Sequence, residues 1–362
     1  MSSILGNTLK VSVFGESHGA AIGVVIDGLP AGEAVDLEAL QAFLNRRAPG
    51  RNDLSTQRSE ADVPRILSGL PDGITCGTPL CAVIENGDTR SKDYGALYDT
   101  PRPSHADYAA HMRYRGHQDM RGGGHFSGRL TVPLCVAGGI ALQLLERRKV
   151  TLGAHIERIG SAADCRFEPV HLTPEEIRAP SRRAFPVLDE AAGEAMMQEI
   201  RSASADGDSV GGVIECAAVG LPAGIGDPMF DGLENRLSAA VFGIPAVRGI
   251  EFGSGFAATQ MRGSLHNDPY EIRDGAIVTR SNHHGGILGG ITTGMPLIFR
   301  AAFKPTPSIA KQQRTVNIRT AEETDLEITG RHDPCIVPRA VPCIEAVTAL
   351  VLLEFMLRGE NN

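Results

Sequence analysis
The chain has 362 residues, 42% of them hydrophobic and 22% charged, and a formal net charge of −8, which fits a globular protein with a substantial core. An acidic chain with no Trp, 5% aromatic residues and 30 Arg against 5 Lys is a poor nucleic-acid binder. No apolar run approaches the roughly 18 residues needed to span a membrane, and the first residues lack the features of a secretory leader. A cytoplasmic location is expected. Seven scattered cysteines without a C-x-x-C pair point to free thiols in a reducing compartment and against structural zinc.

In chain order, residues 8–14 and 21–27 read as strands flanking the turn GESHG at 15–19. Asp36 is a natural N-cap for a helix ending before Pro49 and Gly50. Short strands are expected at 65–67 and 80–85, and a helix near 105–115. A long helix over 127–148, with small residues through its middle (CVAGGIALQ), predicts close packing against another element. A strand at 151–158, a polar excursion over 160–185, an amphipathic helix at 187–204 and a strand at 210–219 follow. Gly-Leu-Pro-x-Gly recurs at 28–32, 69–73 and 220–224. The first and third copies are each followed by a helix, so a duplicated strand–turn–helix unit is expected. Residues 246–253 and 255–263 read as a hairpin-like pair, and 291–303 as one long β segment. The final helix, over 338–358, is apolar and is expected in the core or at an interface. No linker separates domains, so the expectation is a single α+β domain over residues 1–362, a layered β-α-β sandwich with internal duplication.

The chemistry concentrates at 102–129, which holds five Arg, four His and a triple glycine against two acids, Asp107 and Asp119. Converging backbone N–H groups at glycines and arginine forks both suit anions. The segment reads as an anion site with histidine proton chemistry, or else as a solvated helix with a loop. His105, beside Arg102, can give a proton to a departing phosphate. Gly122–Gly124 before the long helix is a plausible anion cradle. GESHG satisfies the hydrolase pattern G-x-S-x-G around Ser17, but a strand rather than a helix follows it, against that assignment. His283 and His284 are adjacent in SNHHGGILGG, without metal-ligand spacing. In GRHDPC, Arg331 could clamp an anion while Asp333 accepts a proton.

Together, GESHG with AIGVVIDGLPAG, RPSHADY, RGGG with S-x-R after it, SNHHGGILGG, KPTPSI and GRHDPCIVPRAVPCIEAV resemble the chorismate synthase family over essentially the whole chain. The resemblance implies a lyase converting 5-enolpyruvylshikimate 3-phosphate to chorismate and phosphate by 1,4-anti elimination. It also implies reduced FMN without net redox change, an external flavin reductant, a β-α-β sandwich and a homotetramer. By motif match, His18 would protonate the flavin, His105 the phosphate, and Asp333 would assist proton removal. Ser17, Arg47, Arg129 and Arg331 would hold the substrate. Flavin contacts would come from His125, Phe126, Ser127, Pro245, Ala246, Gly289, Lys304, Pro305, Thr306, Pro307, Ser308 and Arg331. The chain departs from the family pattern at His125, Phe126, Gly128 and Leu130, and at Asp53, where an arginine is usual with Arg51 nearby. Weaker flavin retention is therefore expected. The alternatives are a flavin-binding homologue without activity and a serine hydrolase acting through Ser17.

Overall fold
The computed structural model describes residues 3–50, 61–87, 98–328 and 333–360. The chain opens with β1 (Ile4–Leu5), β2 (Lys10–Gly15), β3 (Ala21–Asp27), α1 (Leu37–Arg47), β4 (Arg65–Ser68) and β5 (Leu80–Glu85). Then come α2 (Asp107–Tyr114), 3₁₀ turns at Arg121–Phe126 and Gly128–Leu130, and α3 (Thr131–Arg147). The middle holds β6 (Thr151–Ile159), β7 (Ala162–Ala163), α4 (Pro174–Arg178), α5 (Glu190–Ala205), β8 (Gly212–Val219) and α6 (Leu233–Phe242). Next are β9 (Val247–Phe252), α7 (Gly263–His266), β10 (Tyr270–Arg273), β11 (Ala276–Thr279), β12 (Ile287–Leu288) and β13 (Ile291–Thr292). The chain closes with β14 (Leu297–Phe303), β15 (Gln313–Asn317), β16 (Glu322–Leu326) and α8 (Val337–Glu360).

Two antiparallel sheets, ordered β1-β2-β3-β5-β4 and β7-β6-β8-β14-β9, enclose a helical layer. In it α3 packs on the first sheet, α8 on the second, and α1 and α6 beside them around one continuous apolar core. Alternation sets each face: Ile22, Val24 and Ile26 on β3 point into this core. The small residues of α3 do what their position predicts. A Cβ on Gly138 would lie 2.3 Å from the Ala346 Cα, and one on Gly139 would lie 2.6 Å from Leu40 Cδ1. Asp36 caps α1, its carboxylate accepting from the amides of Glu38 and Ala39 at 2.9 Å each.

The duplication is visible in the topology. The path β2, β3, α1, β4, β5, α3 is repeated by β6, β8, α6, β9, β14, α8, and both sheets order the equivalent strands alike. The two GLPAG turns are clasped by the same device. Thr75 donates its hydroxyl to the Pro30 carbonyl at 2.6 Å and accepts from the Glu33 amide at 2.9 Å. Thr292 donates to the Pro222 carbonyl at 2.6 Å and accepts from the Ile225 amide at 2.9 Å. Gly28 and Gly220 open these turns at φ +95° and +85°, and a Cβ on either would lie 2.1 Å from a carbonyl oxygen. The third copy, at 69–73, follows β4 and has no such clasp.

Several expectations need correction. Residues 255–263 are not a strand: Gly255–Gln260 forms a 3₁₀ turn, and β9 pairs instead with β14. The long β segment at 291–303 is broken into β13 and β14, with Gly294 at φ +87° between them. The excursion after β6 covers the outer face of the second sheet, where Phe167, Leu172 and Ile177 form an apolar cluster with Ala217 and Ile298. Both Gly128–Arg147 and Val337–Glu360 are long and apolar enough to cross a membrane by composition, yet they are 78% and 94% buried inside the protein. They are core helices, so α8 is not an interface element.

Candidate active site
A cleft of about 660 Å³ opens where equivalent parts of the two halves meet. The ends of α1 and α6, the starts of α3 and α8, and the segment after β14 all contribute to its walls. Cations dominate it: Arg47, Arg102, Arg129, Arg248, Lys304 and Arg339 line it, with Asp333 the one lining carboxylate among the described residues. Such a cleft selects a small polyanion.

Asp62 organises the first wall. Buried, and held in a left-handed conformation at φ +49°, it accepts from Arg47 Nη1 at 3.0 Å and from Arg129 Nη1. Arg47 also donates to Thr131 Oγ1 at 3.1 Å and the Gly128 carbonyl at 2.8 Å, and Arg129 donates to Asn86 Oδ1 at 3.1 Å. Both guanidiniums are thus held in fixed positions at the cleft wall.

Asp107 organises the second wall. Its carboxylate accepts from Arg102 Nε at 2.7 Å and Nη2 at 2.8 Å, and lies 2.5 Å from His105 Nδ1. Burial alone would raise the Asp107 carboxyl, but Arg102 and His105 outweigh it and hold it well below the usual carboxylate range. A charged carboxylate only accepts, so Nδ1 carries the proton and Nε2 is left to exchange one in the cleft. Arg102 Nη1 reaches on to Ser308 Oγ at 3.3 Å. Lys304 Nζ donates to the Ser104 carbonyl at 2.6 Å, holding Ser104 at φ +61° beside His105. Burial, with Arg248 nearby, keeps the Lys304 amine below its ordinary range.

The turn holding Ser17 and His18 docks behind the triple glycine, the Ser17 amide donating to the Gly124 carbonyl at 3.1 Å. At Gly122, φ +61°, a Cβ would fall 2.2 Å from His18 Nδ1 and 2.7 Å from Ser17 Oγ, so only glycine fits. Ser17 and His18 are buried behind the cleft rather than on its wall. Ser17 lies in the connection between β2 and β3, so the strand-to-helix elbow of a hydrolase is absent there.

Of the remaining expected residues, Arg47, His105, His125, Phe126, Ser127, Arg129, Pro245, Ala246, Lys304, Thr306, Pro307, Ser308 and Asp333 line the cleft. Asp333 pairs with Arg339, whose Nε also donates to the Arg47 carbonyl at 3.0 Å. Pro305 is exposed and does not line the cleft. Gly289 does not line the cleft either. It caps the exposed β12–β13 hairpin, and the Leu233 amide at the start of α6 donates to Gly290, whereas the cleft takes the far end of α6. Arg331, Arg51 and Asp53 lie outside the described residues.

The departures at 125–130 are absorbed structurally. His125 bonds the Gly15 carbonyl and Ser3 Oγ at 2.9 Å each, Phe126 packs 6.3 Å from Tyr114, and Leu130 joins the core. Asp62, Arg248 and Arg339 were missed from sequence; Asp62 acts through contacts distant in the chain, and Arg339 joins Asp333 six positions away to the Arg47 carbonyl 292 positions away. Asp107, two residues after His105, was the one legible partner. Among the described residues no group of three or more His, Cys, Asp or Glu could hold a metal ion.

A family model of chorismate synthase matches residues 9–357. The chorismate synthase of Pyrococcus abyssi is 51% identical over 352 residues, 97% of each chain. That of Thermococcus kodakarensis is 48% identical over 353 residues, 98% of this chain and 97% of the relative. A crystal structure of a chorismate synthase matches with a TM-score of 0.77 at 25% identity, covering 98% of this chain and 93% of that one. On its fold, its cleft and these likenesses, the chain belongs to the chorismate synthase family, carbon–oxygen lyases of the shikimate pathway and aromatic amino-acid biosynthesis.

Proposed function
We propose that this chain converts 5-enolpyruvylshikimate 3-phosphate to chorismate and phosphate by 1,4-anti elimination in the cleft between the two halves. The observation that carries this reading is the Asp107–His105 pair facing a cleft lined by six cations and one carboxylate. The substrate brings two carboxylates and a phosphate. Arg47 and Arg129, braced by Asp62, would grip it from the first half, with Arg102, Lys304 and Arg339 opposite. His105 would deliver the proton from Nε2 as the phosphate leaves, and Asp107 would hold the ring and stabilise its charged form. Asp333, paired with Arg339, would accept the proton lost from carbon. His18 would act from behind Gly122, and Arg331 would add to the substrate grip.

The residues present suit FMN. Phe126, Phe242, Pro245 and Ala246 supply an apolar wall, and Thr306 Oγ1 is buried there without a hydrogen-bond partner. That atom, with Ser127, Lys304, Pro307 and Ser308, would hold the cofactor. Reduced FMN, when bound, supplies reversible electron donation that amino-acid side chains do not provide. A separate reductant would supply it, and the chain would act as one domain of a cytoplasmic homotetramer. Exposed Phe256, Tyr270, Ile272 and Ile277 in the second half offer apolar surface for that assembly. Anaerobic turnover with dithionite-reduced FMN tests the reading: phosphate and chorismate should form in equal amounts. Tight FMN binding without either product would instead favour the inactive homologue.

A further inference from the structure
Under the cleft floor two thiols meet. Cys135 on α3 and Cys343 on α8 are both buried, and the Cys135 thiol donates toward the Cys343 sulfur across 3.9 Å. They stand 208 positions apart, the same offset that relates Gly138 to Ala346, so the two cysteines occupy equivalent places in the two halves. One turn further on, the helices approach so closely that a Cβ on Gly138 would lie 2.3 Å from the Ala346 Cα. Close backbones are what a cysteine bridge requires. Cys343 lines the cleft and Cys135 does not. Hydrogen bonding from Cys135, against burial and with help from Arg47, holds the Cys343 thiol below its ordinary range, while Cys135 is pushed well above it. An electropositive pocket with one sulfur in its lining and a second beside it is the setting of a redox-responsive thiol.

We propose that Cys343 and Cys135 form a peroxide-responsive pair whose disulfide reversibly displaces Arg47 in the cleft wall. The Cys343 thiolate attacks hydrogen peroxide, takes one oxygen to become a sulfenic acid, and with one proton releases water. The Cys135 thiol then displaces that oxygen as a second water, forming the S–S bond. The two thiols lose two electrons and the peroxide gains them. Bringing the sulfurs from 3.9 Å to about 2.0 Å turns the two side chains toward each other, between helices already in contact one turn on. That motion shifts Thr131, which Arg47 uses as a hydrogen-bond acceptor. The thiol chemistry stands apart from the lyase reading; only the loss of turnover rests on it.

The test uses the full chain carrying Cys76→Ser and Cys165→Ser, which removes the two exposed thiols. The protein is treated with hydrogen peroxide, denatured with alkylating agent and digested. A peptide pair joined through Cys135 and Cys343 is expected, reversed by dithiothreitol and missing in Cys135→Ala and Cys135→Ser. Phosphate release should fall on the order of 100-fold, as for groups misplaced by about 1 Å, and return with dithiothreitol. Full alkylation of both cysteines after peroxide overturns the pair. A cross-link with unchanged turnover overturns the switch. Protein inactive before oxidation contradicts the lyase reading instead, and the cross-link then decides the thiol chemistry by itself.

Discussion
The two halves share a path and a turn clasp, yet they bring different chemistry to the cleft. The first half supplies a buried ionic frame, Arg47–Asp62–Arg129, and the Arg102–Asp107–His105 group. The second supplies apolar wall and backbone, from Phe242 to Val247 and from Thr306 to Ser308, with the separate cations Arg248 and Lys304 beside them and Asp333 and Arg339 at the foot of α8. The end of α1 carries Arg47 where the end of α6 carries Phe242. Duplication therefore accounts for the scaffold, and the proposed chemistry lies where the halves differ.

Breaking the ionic frame of the first half should have the largest effect. Asp62→Asn leaves two buried guanidiniums facing each other, which costs about 3–5 kcal/mol, read as a lowered denaturant midpoint at unchanged slope. Should the midpoint hold, the frame is not what fixes Arg47 and Arg129. Next, His105→Ala should lower turnover by about 10²–10⁴-fold at unchanged fold. Asp107→Asn should lose part of that and alter the pH profile, because its amide would no longer hold the ring in one tautomer. A uniform fall across pH for Asp107→Asn would mean that it only supports the loop.

The turn clasps sharpen the comparison at equal chemistry. Thr75→Val and Thr292→Val each remove two part-buried hydrogen bonds, at about 0.5–1.5 kcal/mol per bond. The two losses should agree within about 0.5 kcal/mol and add in the double variant. Unequal losses would show that the halves do not share one scaffold energetics.

The smallest effect concerns the covered sheet of the second half. His155 is buried beside Asp164 and Glu215; burial lowers its pKa, but these carboxylates outweigh that and raise it. A raised folded value means the contribution is full below the unfolded value of about 6.5. It is lost as pH climbs through the folded value. The stability gap between wild type and His155→Gln should therefore narrow as pH rises above about 7. A gap that widens would mean the imidazole is neutral throughout.

Much of the scaffold was legible because its signals are local. Asp36 caps the helix it precedes, β3 spans the apolar run 21–27, and GLPAG marks equivalent turns after β3 and β8. The stretch 255–263 misled because its apolar residues suited a strand, while pairing with β14 claimed only Val247–Phe252. In the cleft, His105 and Arg129 were visible within one basic segment. Asp62 was not, since it reaches Arg129 across 67 positions, and neither composition nor spacing encodes that contact. Gly289 was assigned from motif order, and order along the chain does not say which end of α6 a loop occupies.

The most direct measurement is anaerobic phosphate release from 5-enolpyruvylshikimate 3-phosphate with dithionite-reduced FMN, run in parallel for wild type and His105→Ala. Continuous release by the wild type, with a loss of about 10²–10⁴-fold in the variant, is the predicted result. Equal rates in both, or no phosphate from the wild type with FMN bound, would contradict the proposed cleft chemistry.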